Sequence, residues 1–572
     1  MYEPIWDECP AYAPKSLYAA LPALPKLLVH LAALRAPSAF RCPTADEIQA
    51  YLEAPLTASL PRCHLPGLRE AAERLALAVQ RRERVGIHGD YDVDGVTSTA
   101  LLASWLRELG VDVEVVLPHR ELDGYGLGAA ALRRLSETGC RLVLAIDCGI
   151  TAVMEAALAR SLGIELIILD HHEPAEALPE ALVVVDPKLP GGDPGDCCLA
   201  AVGLAYRLCE TMVAAGAGNI QRLEALLDLV ALGTIADVAP LTGQNRLLVS
   251  RGLRVLRTGA RPGLAALAKA AGVKQERLTT EDVAFRLAPR LNAAGRLDHP
   301  SLAFDLLMAR DVEAVEALAG RLEELNRLRQ TLTESALAAA VSRLGLVNGE
   351  PVVLIATGDD WRPGIVGLVA GKLADRYHRP AIALTALAGE LRGSARSIDG
   401  FDVTAALRNC EDLLLRCGGH ARAAGLSLEP WALEPLRLRL LELAGRQISA
   451  EQLRPRHSPQ ALVAFRSLTS GVVRSLERLG PFGEGNPEPL VQSNDLVVRD
   501  VRRIGRDGAH ASLHLRGGGV ELRAVFFRAD PQALPEAGSR VDALYVPQVN
   551  GYNGDERVEP RLVALRPAAQ PA

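Results

Sequence analysis

The chain has 572 residues, of which 49% are hydrophobic and 23% charged, and its formal net charge is −6. This length is too great for one hydrophobic core and predicts about three or four domains. The acidic balance excludes indiscriminate nucleic-acid binding through a basic domain, so any site for a polyanion must be local.

No apolar run approaches the ~18 residues that a membrane span needs, and the N-terminus lacks the basic region of a signal peptide. The ten cysteines are scattered without paired spacing, which is typical of a reduced protein. We therefore predict a cytoplasmic protein.

Residues 1–60 are rich in proline and alanine and contain short helical stretches at Tyr18–Leu34 and Ala45–Tyr51. We interpret them as a lead-in that packs on the adjoining domain and carries no chemistry. From a helical run at Gly67–Arg81 onward, strands and helices alternate. The predicted strands are Val85–His88, Val113–Leu117, Arg141–Ile146, Glu165–Leu169 and Leu182–Val185, and the helices between them are 96–109, 127–137 and 151–161.

Continuous apolar strands separated by helices predict an α/β fold with a parallel sheet covered on both faces. Ligands of such sheets bind beyond the carboxyl ends of the strands. Residues able to bind a metal follow three of the predicted strands at this end, namely His88, Asp90, Asp92 and Asp94, then Asp147, then Asp170, His171 and His172. One crevice can therefore collect all of them.

Each of these residues also has an ordinary structural interpretation. Asp147 is placed to cap a helix that starts at Thr151, and the two histidines are suited to a turn. Asp237, which closes a predicted helix at 223–236, is taken singly more typical of a helix C-terminus than of a metal site. The convergence of the whole set favours a metal, and carboxylates with one or two imidazoles suit Mn²⁺ or Mg²⁺ rather than structural zinc.

The Asp-Tyr-Asp-Val-Asp-Gly run at 90–95 together with Asp170-His171-His172 resembles the DHH phosphoesterase superfamily, whose four acidic or histidine motifs surround a two-metal centre. All four motifs occur here in the expected order. The resemblance implies that His172 is a ligand or a donor to the reacting phosphate and that Asp90 is a weaker candidate. The metal ligands that it implies are His88, Asp92, Asp94, Asp147, His171 and Asp237, and those with a catalytic role are Asp92, Asp94, Asp147, His171, His172 and Asp237.

A long helix is predicted at 311–345, and a second α/β unit follows it with a strand at Val352–Ala356, a helix at Ile365–Tyr377 and a strand at Ala381–Leu384. Its Gly-Ser-Ala-Arg-Ser run at 393–397 and Gly-Gly-His at 418–420 resemble the DHHA1 substrate-binding domain. The resemblance implies that Ser394, Arg396 and His420 hold substrate phosphates. Two further arginine-containing loops are predicted to assist, with Arg120 after the second strand and Arg290 and Arg296 between helical segments. A solvated surface arginine is the alternative for Arg120.

Short strands come after the turn-rich Gly-Pro-Phe-Gly-Glu-Gly-Asn-Pro run at 480–487 and suggest a small OB-like β-barrel, a common fold for binding single strands. The predicted strands are Leu496–Val501, Ala511–Leu515, Val520–Phe527, Arg540–Val546 and Arg561–Leu565. Phe526, Phe527 and Tyr545 are candidates for stacking on bases, although most of them are expected to lie in the core. The predicted domains are 1–60 (lead-in), 61–305 (DHH), 306–345 (connecting helix), 346–450 (DHHA1) and 451–572 (OB-like).

This domain order resembles the single-strand-specific DNA exonucleases of the superfamily. It implies 5′→3′ hydrolysis of single-stranded DNA to mononucleotides with two divalent cations, Mn²⁺ or Mg²⁺, in recombination and repair. It also implies cooperation with single-stranded DNA-binding protein and a RecQ-type helicase, and we expect a monomer. Three alternatives remain open: a phosphodiesterase for short oligonucleotides or cyclic dinucleotides, an inorganic pyrophosphatase, and an inactive repair scaffold.

Overall fold

The computed structural model describes residues 4–36, 43–57, 64–192, 198–345, 351–505, 508–530, 534–552 and 555–568. The chain forms two compact units, and each consists of separate stretches of sequence. The first contains Met1–Pro4, Arg62–Ala239 and Arg251–Pro455, and the second contains Ile5–Pro61, Pro240–Ser250 and Arg456–Ala572. In the part of the chain that the structure describes, no helix combines the length and the apolarity that crossing a membrane requires.

The N-terminal segment contains β1 (Ile5–Trp6), α1 (Lys15–Ala20), α2 (Lys26–Ala33) and α3 (Ala45–Thr57). Its buried side chains, such as Leu28, Leu31 and Ile48, share one hydrophobic core with residues 461–562. The prediction that this segment packs on the domain next to it in sequence is therefore wrong. The cause is that six consecutive residues of α2, from Leu27 to Ala32, are buried, and the core that they join is formed with residues 461–562.

The first unit begins with a sheet in which helices alternate with strands. Among the described residues the sheet has five strands, all parallel, in the order β3-β2-β4-β5-β6. The predicted α/β fold is thus confirmed. The elements are α4 (Leu68–Arg81), β2 (Val85–His88), α5 (Val93–Glu108), β3 (Val113–Val116), α6 (Ala129–Glu137), β4 (Leu142–Ile146), α7 (Val153–Ser161), β5 (Glu165–Leu169) and β6 (Val183–Val185).

A helical region comes after the sheet, and two predictions there are wrong. The helix predicted at 223–236 is two helices, and Arg290 and Arg296 lie on a helix rather than in a loop. A π-helical turn at Val283–Leu287 leads into that helix, so the helical pattern runs through the predicted loop. The helices are α8 (Ala201–Ala214), α9 (Ile220–Glu224), α10 (Leu227–Ala236), α11 (Gly243–Thr258), α12 (Pro262–Ala270), α13 (Thr280–Asp282), α14 (Ala288–Leu297), α15 (Ser301–Met308) and α16 (Val312–Leu344).

The predicted connecting helix is confirmed as α16, which is capped by Asp311 through a bond from Ala314 N. Beyond it lies a five-stranded mixed sheet of order β10-β11-β9-β8-β7. Ser394 and Arg396 lie on its strand β9, and Gly-Gly-His lies on the edge strand β10. The elements are β7 (Leu354–Gly358), α17 (Pro363–Tyr377), β8 (Ala381–Leu387), β9 (Glu390–Arg396), α18 (Val403–Arg408), β10 (Arg416–His420), β11 (Ala423–Leu428) and α19 (Leu433–Gln447).

The C-terminal strands of the second unit form the predicted OB-like barrel. Strand β16 pairs in parallel with β20, and β14 pairs with β17 to close the ring in the order β14-β15-β16-β20-β17. Closure removes the exposed strand edges of an open sheet. The elements are β12 (Arg456–His457), β13 (Ala461–Leu462), α20 (Ser470–Ser475), β14 (Val491–Ile504), β15 (His510–Gly517), β16 (Val520–Phe526), β17 (Arg540–Val546), β18 (Val549–Tyr552), β19 (Asp555–Val558) and β20 (Arg561–Pro567).

The predicted domain boundaries after residues 60 and 345 adjoin segments outside the described residues. The domain bounds given by the sequence therefore stay predictions.

Candidate metal centre

Strand β2 delivers the first carboxylates through a tight turn into α5. Asp92 caps that helix, since its Oδ1 accepts bonds from the backbone N–H groups of Asp94 at 2.9 Å and Gly95 at 3.1 Å. A Cβ on Gly95 would lie 2.6 Å from the backbone nitrogen of Asp90, so only glycine permits this approach. The helix begins three residues earlier than the sequence pattern predicts because Asp92 is its cap.

Asp147 directly follows strand β4 and has a φ of 63°. This left-handed conformation is unusual for a residue with a side chain and is tolerated best by Asp and Asn. The side chain caps no helix, because α7 begins at Val153 and its N-cap is Ala152. Instead Asp147 Oδ1 lies 3.1 Å from His171 Nε2, which places the two predicted ligands in direct contact.

Asp94 and Asp237 complete a second group around His171. His171 Nε2 lies 3.9 Å from Asp94 Oδ2, and His171 Nδ1 lies 3.9 Å from Asp237 Oδ2. Asp94 also accepts bonds from the first backbone N–H groups of α8, at Ala201 (2.7 Å) and Val202 (3.0 Å). Asp237, the C-cap residue of α10, is therefore brought into the centre despite its unremarkable sequence context.

Within the DHH run, both carboxylate oxygens of Asp170 accept hydrogen bonds from other groups of the protein. Its Oδ2 accepts from Ile150 N at 2.9 Å, and its Oδ1 accepts from His171 N at 2.8 Å and from His172 Nδ1 at 2.7 Å. The residue thus orients the histidine pair. Tyr125, which the sequence reasoning missed as a site residue, places its hydroxyl 3.1 Å from His172 Nδ1.

Three groups of side chains among the described residues have ligand atoms within 4.8 Å of one another. His88 belongs to none of these groups. It is buried behind the centre with its Nδ1 3.9 Å from Cys148 Sγ. The groups are Asp90 with Asp92 and Asp147, Asp94 with His171 and Asp237, and Asp147 with His171 and His172.

The carboxylates of the centre have pKa values shifted in the direction expected for crowded, buried acids. Burial and then the charge of Asp92 raise the pKa of Asp94 to about 7, and burial followed by neighbouring aspartates raises those of Asp90, Asp147 and Asp237. Such a cluster requires compensating positive charge.

The two histidines of the DHH run have pKa values that are shifted in opposite directions. Burial and then His172 lower the pKa of His171 to about 4, so this imidazole is neutral and able to bind a metal. Burial opposes protonation of His172, but the hydrogen bond to Asp170 together with the charges of Asp170, Asp92 and Asp90 outweighs burial and raises the pKa of His172. Burial likewise opposes ionisation of Asp170, but the same hydrogen bond, the charges of the two histidines and the bond from Ile150 N together lower the pKa of Asp170 to about 2.

An arginine group borders the carboxylates. Arg120 is half-buried over the ring of Tyr91, 3.8 Å from its centroid, and its Nε donates to Gly295 O at 3.1 Å. Arg296 is partly buried and donates to Gly364 O at 3.0 Å. Its pKa is lowered to about 9 by burial and then by Arg120, Arg329 and Arg396. Partly buried guanidinium groups that repel one another indicate a place for an anion.

Some of the other residues predicted to bind phosphate lie in or near this arginine group, and one of them does not. Arg396 belongs to the arginine group, and its Nη1 donates to Ser394 Oγ at 2.6 Å. His420 is close enough for its pKa to be lowered, after burial, by Arg396 and by Lys188. Arg290 does not join them, because its Nε donates to Glu323 on α16 at 2.6 Å.

The three aromatic residues of the barrel also divide. Tyr545 is fully buried and its hydroxyl bonds to Ser493 at 2.7 Å, and Phe526 packs against the core. Phe527 is 54% exposed and lies edge-on to His510, with ring centroids 5.2 Å apart. The expectation that most of them are core residues is therefore confirmed, and Phe527 is the exception.

Comparison with known proteins gives three family matches along the chain. Residues 84–234 match the DHH family N-terminal domain, residues 329–445 the DHHA1 domain, and residues 460–563 the RecJ OB domain. The single-stranded-DNA-specific exonuclease RecJ of Salmonella typhimurium is 34% identical over 563 residues, which cover 95% of this chain and 96% of the relative. The chain belongs to the RecJ family.

Further RecJ proteins agree with this assignment. RecJ of Bacillus subtilis is 36% identical over 523 residues, or 91% of this chain, and this chain spans only 66% of that relative's length. The crystal structure of RecJ in complex with Mn²⁺ from Thermus thermophilus has a TM-score of 0.83 and 32% identity, covering 99% of this chain and 80% of that chain. The Mg²⁺ complex of the same RecJ gives a TM-score of 0.77.

Proposed function

We propose that this protein is a metal-dependent exonuclease that degrades single-stranded DNA from the 5′ end, releases mononucleotides and serves recombination and repair. The observation that carries the proposal is the adjacency of two opposite charge groups in the first unit. The charge of Asp92 opposes the lowering of the Arg296 pKa that burial and nearby arginines cause, and the charge of Arg120 opposes the rise of the Asp90 pKa that burial and Asp92 cause. A phosphodiester backbone next to a metal centre requires this combination.

The donor set fits two divalent cations, Mn²⁺ or Mg²⁺. Oxygen-rich sites with an imidazole suit these ions, and the buried Asp90 Oδ1 has no hydrogen-bond partner among the described residues. When bound, the ions supply an activated water and neutralise charge that develops on the scissile phosphate. We assign one ion to Asp92 and Asp147 with His88 or Asp90, and the other to Asp94, His171 and Asp237, with Asp147 available to both.

The side chains around this centre bind and orient the substrate. His172 has its Nδ1–H committed to Asp170, which leaves Nε2–H to donate to the reacting phosphate. We assign the 5′-terminal phosphate to Ser394, Arg396 and His420, with neighbouring phosphates held by Arg120 and Arg296, so that the first phosphodiester bond lies at the carboxylates. The pairing of Arg290 with Glu323 leaves its substrate contact a prediction.

The barrel of the second unit is assigned to the downstream single strand. Phe527 offers an exposed ring in the turn after the third barrel strand, β16, in contact with His510 at the start of the second, β15. OB-folds bind oligonucleotides on the face of these two strands. This domain favours long strands over dinucleotides as substrates. We also retain as proposals a monomeric state, a cytoplasmic location, and cooperation with single-stranded DNA-binding protein and a RecQ-type helicase.

Replacement of Asp147 tests the proposed chemistry. Asp147→Asn keeps a residue that tolerates a positive φ while removing the carboxylate shared by two groups. Hydrolysis of end-labelled single-stranded DNA with Mn²⁺ should fall on the order of 10³-fold, or about 4 kcal/mol of transition-state stabilisation. Asp412→Asn, at an exposed position paired with Arg439, is the control and should retain activity. A folded Asp147→Asn protein with near-normal activity would refute the two-metal assignment. Substrates labelled at the 5′ or the 3′ end report the direction of hydrolysis.

A further inference from the structure

Lys188 is a basic residue of the first unit that the sequence motifs do not include. It follows β6, which pairs with β5, the strand that ends in the DHH run. Its backbone N–H donates to Oδ1 of the buried Asp186 at 2.8 Å, so the stem of the side chain leaves a fixed position. The chain contains only 6 lysines, and this one lies beside the candidate centre.

The positive charge of Lys188 affects the pKa values of three groups on different elements around the centre. The pKa of His420 on β10 is lowered by burial first and then by Arg396 and Lys188. Burial, His172 and then Lys188 lower the pKa of His171 after β5. Lys188 also opposes the rise that burial and nearby aspartates cause in the pKa of Asp237. Lys188 follows the carboxyl end of β6, next to the DHH run at the carboxyl end of β5, and its ion-pair partner Glu173 directly follows His172. This geometry places the ammonium beside the carboxylate centre, and its effect on His420 brings it within electrostatic reach of the residues assigned to the terminal phosphate.

The present partner of Lys188 is Glu173, with 2.9 Å between Nζ and Oε1. The Glu173 side chain is 72% exposed and that of Lys188 is 34% exposed. An ion pair with so exposed a partner is worth at most about a fivefold factor in an equilibrium constant. A phosphate dianion held by several donors competes successfully against such a pair.

We propose that Lys188 is a substrate-binding residue that exchanges Glu173 for the 5′-terminal phosphate of the DNA. The inference rests on the proposed function, because it places that phosphate at Ser394, Arg396 and His420. Glu173 keeps the ammonium neutralised in the free enzyme, and it must release Lys188 when the phosphate arrives. A compact ammonium with three donors suits this exchange.

The test compares 5′-phosphorylated with 5′-hydroxyl single-stranded oligonucleotides of one sequence in steady-state hydrolysis with Mn²⁺. Lys188→Met, with Lys188→Gln as a second variant, should raise KM for the phosphorylated strand roughly tenfold. It should change kcat less than about twofold and leave KM for the hydroxyl strand nearly unchanged. Glu173→Gln should lower KM for the phosphorylated strand roughly two- to threefold, because the competing carboxylate is gone.

Lys372→Met is the matched control. Lys372 is exposed on α17, five residues and so about 140° around the helix from Gly367, where an added Cβ would meet Arg396 and Ser394. Its KM values should equal those of the parent protein for both strands.

Arg396→Ala, measured in parallel, separates failure of this inference from failure of the proposed function. If Arg396→Ala removes the preference for phosphorylated strands while both Lys188 variants keep it, the role of Lys188 is refuted and the phosphate site stands. Equal losses for both strand types on Lys188 replacement also refute it. If Arg396→Ala leaves the preference intact, the terminal-phosphate site of the proposed function fails as well.

Discussion

Relative to the parent, the stability of the metal-free Asp94→Asn protein should be more favourable at pH 8 than at pH 5.5. The pKa of Asp94 is raised from 3.8 to about 7 by burial and then by Asp92. The folded state therefore holds a proton that the unfolded state, with a pKa of about 3.9, has already lost. Stability is full below the unfolded pKa and falls as pH rises towards the folded pKa. Replacement by Asn removes this loss.

The magnitude follows from the same shift. About three pKa units correspond to about 4 kcal/mol in total, of which the interval from pH 5.5 to 7 contributes about 2 kcal/mol. For a unit of roughly 400 residues this equals about 2–3 °C in Tm. His88 and His171, whose pKa values burial lowers to about 4, also make stability depend on pH. They are present in both proteins, so their contribution largely cancels in the difference.

The assay is thermal unfolding by circular dichroism of both proteins in EDTA and in Mn²⁺ at the two pH values. In EDTA the Tm advantage of Asp94→Asn should grow by the stated amount between pH 5.5 and 8. Mn²⁺ should raise the Tm of the parent protein, because a ligand that binds only the folded state stabilises it, and should raise that of the variant much less. A Tm difference independent of pH, or an equal response to Mn²⁺, would refute the role given to Asp94.

Two predictions concern the second unit. Phe527→Ala should weaken binding of long single strands roughly tenfold, as expected for loss of one stacking ring, without changing kcat on very short 5′-phosphorylated strands. Fluorescence anisotropy measures the affinity. The control is Leu462→Ala, at a position that is 45% exposed in the same unit, and this variant should bind normally. Leu31 of α2 is fully buried, and Leu31→Ala should destabilise the barrel by about 2–5 kcal/mol. Amide hydrogen exchange in β14 and β15 should then become faster. Unchanged exchange protection in these strands would contradict the shared core.

The sheet of the first unit was predictable from sequence because its strands are continuous apolar runs. Strand β5 has the predicted bounds, and the neighbouring order of β2, β4 and β5 explains why Asp92, Asp147 and His171 converge. Asp237 is different, because it follows a helix whose distance from the sheet no periodicity encodes. Its place follows from packing of α10 on α5, where Gly233 allows close approach to Asp94.

Other features depend on long-range contacts that local pattern does not carry. The Asn-Ala-Ala-Gly-Arg run around Arg296 predicts a loop because it is typical of a turn, whereas the structure has helix α14 there, stabilised by packing and by the bond from Arg296 to Gly364. As an arginine, Arg290 is a plausible phosphate ligand, but its side chain donates a hydrogen bond to Glu323, 33 residues away in sequence. Lys188 has no motif around it, and only the fold brings it near His420.

The second unit has a consequence for how the protein is made on the ribosome. Helix α2 and the barrel strands share a core, yet about 400 residues lie between α3 and β12. At a synthesis rate of about 5–20 residues per second, the apolar surface of α2 waits roughly 20–80 s before its partner strands emerge. During that interval the nascent N-terminal segment exposes an apolar helix that chaperones can bind, and the unit closes only after its barrel strands have been synthesised.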